Sequence, residues 1–139
     1  MPPTPRFVHT RRVEFRDTDA AGIVHFSAFF PMMEEAEHAL LRSLGLSVMQ
    51  PDGPDAHLAW PRVAAHCDYQ AAARFEDELT IEVAVEHLGG KSVRYGFAFR
   101  RDQTPIARGQ LTAVCCRLSD QGLESVPIPA DIRRKLAPK

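Results

Sequence analysis

Between Phe26 and Leu44 the apolar residues recur at helical spacing. Phe26, Phe29, Phe30, Met33, Ala36, Leu40 and Leu44 fall on one side, while Glu34, Glu35, His38 and Arg42 fall mostly elsewhere. Gly45 is a natural stop. Such a helix runs roughly 27 Å at 1.5 Å per residue, and its aromatic stripe must be covered by something wide. A sheet is the obvious cover, and the remaining chain supplies the strands. Phe7 to Phe15 alternates in its second half, with Arg11, Val13 and Phe15 opposite Arg12 and Glu14. Trp60 to Gln70 reads as a second strand. In Leu79 to Leu88, Leu79, Ile81, Val83 and Val85 alternate against Thr80, Glu82 and Glu86. Gly89-Gly90 forms a hairpin turn into the alternation of Val93, Tyr95, Phe97 and Phe99. After a turn at Asp102 to Pro105, the run Ile106 to Leu118 is apolar on both faces towards its end, which predicts a central strand. A short amphipathic helix over Ala130 to Leu136 carries Arg133, Arg134 and Lys135 near its carboxyl end, where the helix dipole favours cations.

The order strand, long helix, four strands, with short links among the last strands, predicts an α+β domain with a five-stranded, mostly antiparallel sheet around one long helix. One helix covers only part of such a sheet, so pairing with a second copy is expected. At 139 residues the chain is the size of one domain, spanning 1–139 with a loose proline-rich stretch over 1–5. A net charge of -1 offers no field to hold a polyanion, so nucleic acid is not an expected partner. No stretch approaches the roughly 18 to 20 apolar residues that span a bilayer, and no membrane partner is expected. Three cysteines, Cys67, Cys115 and Cys116, fit no disulfide framework and point to a cytoplasmic setting.

The segment RDTDAAGIVH, over 16–25, is a loop that gathers Asp17, Thr18, Asp19, Gly22 and His25 directly before the helix. A helix start offers unpaired N–H groups and a positive dipole end, which suit a carbonyl oxygen or oxyanion. Pro31 lacks an N–H and belongs in a first turn, so amides near Phe26 and Ser27 are left available. Asp and Ser before a helix also serve as plain caps and turn formers, and spacing alone does not separate the two roles.

VEFRDTDAAGIVHFSAFFPMMEEAEHALLRSLG resembles the signature of the 4-hydroxybenzoyl-CoA thioesterase branch of the hot-dog fold, and WPRVAAHCDYQAAARFEDELTIEV and GGKSVRYGFAF are similar to that family too. The resemblance covers nearly the whole chain. It implies hydrolysis of an acyl-CoA substrate by a homodimer or homotetramer with active sites at the subunit interface, and no metal or other cofactor. The family's catalytic carboxylate, the second Asp of a D-x-D-x-x-G pattern, falls on Asp19. The backbone N–H that polarises the thioester carbonyl falls on Phe26, with His25 and Ser27 on the same turn and His25 as a candidate helper. Asp17 falls to holding the loop. For the CoA phosphates the resemblance points to Lys91 and Ser92, with Arg94 as a helper; the family's basic cluster is replaced here by Gly89 and Gly90.

A thioester carbonyl is already reactive, so a carboxylate that activates water or attacks directly, together with an oxyanion donor, is sufficient. Two other activities use the same fold: a non-catalytic acyl-CoA-binding module, and a hydratase or dehydratase built on His25 with Asp19. No C-x-x-C, H-x-x-x-H or H-E-x-x-H spacing occurs, so no metal site is expected. His66 and Cys67 point to opposite faces of a strand and make a poor nucleophile pair, and Cys67 is expected in the core. Glu34, Glu35 and Glu37 are alternative candidates, since a second branch of hot-dog thioesterases places its catalytic carboxylate on the helix; their plain reading is an exposed acidic face, with Glu37 nearest the apolar stripe, and only Asp19 has the matching motif context. Phe26, Phe29, Phe30, Trp60 and Tyr69 are candidates for an acyl pocket.

Overall fold

The computed structural model describes residues 6–137; the stretch expected to be loose, 1–5, lies outside them. The five-stranded sheet has the order β1-β5-β6-β7-β4, from β1 (Phe7–Arg12), β4 (Arg62–Tyr69), β5 (Glu78–Leu88), β6 (Ser92–Arg101) and β7 (Thr104–Val114), and every pairing is antiparallel. The sheet curves around α1 (Phe29–Ser43), which gives the expected α+β hot-dog architecture. The inward alternation of Leu79, Ile81, Val83, Val93, Phe97 and Phe99 is buried, and so are Phe29, Met32, Met33, Ala36 and Leu40 of the helix. Helix and sheet interlock through aromatic edges: the Phe29 ring meets Phe99 at 5.2 Å and 84°.

The helix stops for a definable reason. Gly45 holds φ +74, its N–H bonds the Arg42 carbonyl at 3.0 Å, and the Leu46 N–H bonds the Leu41 carbonyl at 2.8 Å. That is a Schellman closure with Leu46 buried behind it. At the far end of the chain, α2 (Ala130–Leu136) buries Ile132 and Leu136, and Arg6 donates to the carbonyls of Lys135, Leu136 and Ala137. This ties β1 to a helix end whose last carbonyls have no partner of their own.

Several boundaries differ from the sequence expectation. The strand expected over Phe7 to Phe15 ends at Arg12, because Phe15–Asp17 closes a 3-10 turn. The helix expected from Phe26 opens with a separate 3-10 turn, Phe26–Ala28, and Phe26 is 62% exposed rather than core. The run Ile106 to Leu118 is two strands: the chain changes sheet at Cys115, and β8 (Cys116–Ser119) joins a small sheet of order β2-β3-β8-β9 with β2 (Gln50–Pro51), β3 (His57–Ala59) and β9 (Gly122–Ser125). Burial of both Cys115 and Cys116 comes from this crossing between sheets and not from a central position; β6 is the central strand. The strand at Arg62–Tyr69 is an edge with a register break between Arg62 and Ala64, and Val63 is 61% exposed. Cys67 on it is only partly buried.

Candidate active site

The loop before α1 is a small antiparallel hairpin. The His25 N–H bonds the Asp17 carbonyl at 2.8 Å, Thr18 bridges Val24, and the Asp19 N–H bonds the Ile23 carbonyl at 2.9 Å. The hairpin closes through the Gly22 N–H on the Asp19 carbonyl at 2.9 Å, with Gly22 at φ +81, a conformation that favours glycine. This is the physical content of the D-x-x-G spacing. Ile23 and Val24 attach the hairpin to the body through the Ile23–Arg74 bridge and the Val24 N–H on the Ala73 carbonyl at 2.8 Å.

Asp19 and Phe26 lie on facing arms of this hairpin. Asp19 faces Ile23, and Phe26 lies three residues further along that arm, roughly 10 Å at strand rise. The Asp19 carboxylate accepts the Ala21 N–H at 2.9 Å and is otherwise free among the described residues. The Phe26 N–H has no acceptor among the described residues, while its carbonyl accepts from the Tyr69 hydroxyl at 2.9 Å. His25 turns its Nδ1 onto Ser27, at 2.7 Å from Oγ and accepting the Ser27 N–H at 3.2 Å. Because Nδ1 accepts, the neutral ring carries its proton on Nε2. The His25 ring also lies over Phe26 at 4.5 Å. A cavity of about 480 Å³ opens beside the turn, bounded by Asp17, Thr18, His25, Ser27, Pro31 and Glu35. The larger cavity, about 640 Å³, lies over Ala84, Gly96 and Ala98 on the face of the sheet turned away from α1 and touches none of these groups.

Asp17 has the opposite surroundings. It is 7% exposed, accepts the Glu14 N–H at 2.7 Å, and takes both arms of the Arg11 guanidinium. Burial pushes its carboxyl up, but Arg11 and the Glu14 N–H outweigh it and hold the pKa below the ordinary carboxylate value. Arg11 also reaches Glu35 of α1, with Nε at 2.9 Å from Oε1. Its own pKa is raised, first by the Asp17 hydrogen bond.

The expected CoA-phosphate residues lie elsewhere. Lys91 is exposed and Arg94 is paired with Glu86 at 3.3 Å. Their hairpin is held by the Arg133 guanidinium on the carbonyls of Gly89 (2.6 Å) and Gly90 (3.1 Å). The hairpin and the Asp19 loop sit at opposite ends of β5, roughly 33 Å apart by strand rise. A single chain therefore carries Asp19, His25 and Phe26 on one hairpin, and Lys91, Ser92 and Arg94 at the other end of β5.

Two further expectations change. Glu37 is 1% exposed and not on a solvated face, because Arg62 of β4 forks onto its carboxylate; Arg62 also reaches Glu34 at 3.1 Å. Glu35 belongs to the Arg11 bridge. The sequence reading missed both arginines, although the alternation of β1 had placed Arg11 on the side of Val13, an inward position that calls for a partner. Burial pushes the Cys67 thiol up to about 11, so it is a poor nucleophile near neutral pH.

A helix wrapped by an antiparallel sheet, with this loop at the helix start, defines a hot-dog thioester hydrolase. The chain belongs to the Thioesterase-like superfamily, whose profile matches residues 13–136. It is 30% identical over 119 residues, 86% of each chain, to 1,4-dihydroxy-2-naphthoyl-CoA hydrolase of Synechococcus elongatus. Among solved structures it is similar to gentisyl-coenzyme A thioesterase (29% identity, TM-score 0.80, covering 94% of this chain and 100% of that one). It is also similar to the 1,4-dihydroxy-2-naphthoyl-CoA thioesterase of Synechocystis (26% identity, TM-score 0.80, covering 94% of each chain). No helix of the described residues is long and apolar enough to cross a membrane.

Proposed function

We propose that the chain hydrolyses an acyl-CoA thioester to the free acid and CoA, with Asp19 as general base or nucleophile and the Phe26 N–H as oxyanion donor. One observation carries the reading: among the described residues, a carboxylate with one hydrogen bond and a helix-start amide with none are held three register positions apart by one hairpin. The free amide faces charge that develops only in the transition state, and the free carboxylate is available to water or to the carbonyl carbon. His25 is spent on Ser27 and acts as a cap more than as a base.

The relatives' names point to an aromatic acyl group, and the aromatic surfaces at the turn suit one: His25 on Phe26, and Tyr69 against Phe29 at 5.4 Å. The edge strand β4, exposed on both faces, pairs with a second copy. That copy brings a second Lys91–Ser92 hairpin, and the CoA phosphates are bound across the pair.

The test is chromatographic detection of free CoA from benzoyl-, hydroxybenzoyl-, short- and long-chain acyl-CoAs, with Asp19→Ala beside wild type. Turnover that disappears in the variant, with best rates on the aryl esters, supports the proposal. Binding without turnover points to a binding module, and a hydrated or dehydrated acyl product points to a hydratase or dehydratase. Activity indifferent to Asp19 rejects the mechanism.

A further inference from the structure

We infer that Arg11 is a positioning residue for this hydrolysis: through Asp17 it fixes the Asp19 carboxylate and the Phe26 N–H on a single reference point. The inference rests on the roles just proposed for those two groups. Asp17 pairs the two arms of the hairpin at its open end, across from His25. Asp19 lies two residues after it, and the Asp17 carbonyl holds the N–H of His25, the residue directly before Phe26. A rotation or shift of Asp17 therefore moves base and oxyanion donor relative to each other, and displacements on the order of 1 Å in a catalytic pair cost about a hundredfold in rate.

What holds Asp17 is a side-chain bracket. Its carboxylate accepts the Glu14 N–H while its own N–H bonds the Glu14 carbonyl at 3.0 Å, which closes the 3-10 turn. Two more hydrogen bonds come from Arg11, whose side chain is only 12% exposed. Arg11 is the last but one residue of β1, itself paired with Leu79 of β5, so its origin is rigid. Its planar fork meets a second carboxylate, Glu35, two turns into α1. One guanidinium thus joins the sheet, the loop and the helix at the point where the loop turns into the helix. A lysine ammonium cannot reproduce this, because it presents a single charged point where two carboxylates must be met in fixed directions.

The experiment measures kcat and KM on the best-hydrolysed CoA ester of the panel above. It uses Arg11→Gln, Arg11→Lys, Glu35→Gln and Asp19→Ala, each with a thermal melt to fix the folded fraction at the assay temperature. The expected result is a fall in kcat of about tenfold or more in Arg11→Gln with KM within threefold of wild type, partial recovery in Arg11→Lys, and a severalfold fall in Glu35→Gln. A purely structural Arg11 would lower the melting temperature and leave kcat per folded molecule where it was. That outcome, or kcat within threefold of wild type in Arg11→Gln while Asp19→Ala is inactive, overturns the inference and leaves the mechanism standing. Should Arg11→Gln fail to fold, Glu35→Gln decides: its carboxyl is 40% exposed and the substitution keeps its shape, and an unchanged kcat there overturns the inference equally. Turnover surviving in Asp19→Ala removes the reading beneath it.

Discussion

Asp17 and Asp19 are the same residue type, two positions apart on one loop, and the structure treats them oppositely. Asp17 is buried and accepts three hydrogen bonds, two from Arg11 and one from the Glu14 N–H. Asp19 is part-exposed and accepts one backbone N–H. A buried carboxylate held by three hydrogen bonds, two of them from a guanidinium, is a fastener; a part-exposed one with a single hydrogen bond can take a proton or attack a carbon. On the proposed mechanism the loop divides holding and reacting between neighbours, and the first makes the second precise. Glu37 repeats the first pattern on the helix, where Arg62 occupies it and β4 is tied to α1.

Substitutions that separate holding from reacting test this division. The largest effect belongs to Asp19→Ala, for which we expect kcat to fall on the order of a hundredfold or more. Its melting temperature should stay within about 2 °C of wild type, since little is lost from the fold. A melting temperature well below that would break the contrast, because Asp19 would then be a fastener as well. Next comes Asp17→Ala. It strands part of the Arg11 charge in a buried place, although Glu35 retains the other arm, and we expect a loss of about 2 kcal/mol, read as a drop of roughly 6 °C or more in a thermal melt.

The contrast between the two carboxylates was legible in the sequence only through the resemblance to a known family. Periodicity found α1, the β5–β6 hairpin and the main sheet, because those elements bury one face and leave the other in water, and that alternation is written residue by residue. It failed where the chain changes partners. At Cys115 a continuous apolar run hides a transfer between two sheets, since a residue buried by either sheet looks the same in the sequence. At Phe26 a phenylalanine in phase with the stripe sits on a 3-10 turn and faces outward. The ion pairs were illegible for a different reason: Arg11 with Glu35 and Arg62 with Glu37 are each more than twenty residues apart in sequence, and nothing local marks them. The loop itself was more legible, because a D-x-x-G turn with Gly22 at positive φ is a local structure with a local signal.

Acid titration sharpens the same comparison with a smaller effect. Asp17 has a folded pKa below its ordinary value of 3.8, because Arg11 and the Glu14 N–H outweigh its burial. Such a group contributes stability that is complete above about pH 4 to 5 and is lost as the pH falls through the folded value. Urea midpoints measured from pH 6 down to pH 3 should therefore fall in wild type, and fall less steeply in Asp17→Asn, which has no charge to lose. Parallel curves for the two proteins would mean that Asp17 contributes nothing to acid sensitivity.

The smallest effect we expect is that of His25→Ala. The imidazole stands next to the Phe26 amide, which makes it the obvious alternative base, yet its Nδ1 is engaged by Ser27 and its ring is packed on Phe26. As a cap its loss costs about 1 kcal/mol of local stability, and as a neighbour of the proposed oxyanion donor it costs some precision, so kcat should fall by less than about tenfold. A loss as large as that of Asp19→Ala, together with a limb of the pH–rate profile that vanishes in the variant, would make His25 the proton acceptor. Asp19 would then join Asp17 as a residue that holds rather than reacts, and the division between the two aspartates would have been drawn in the wrong place.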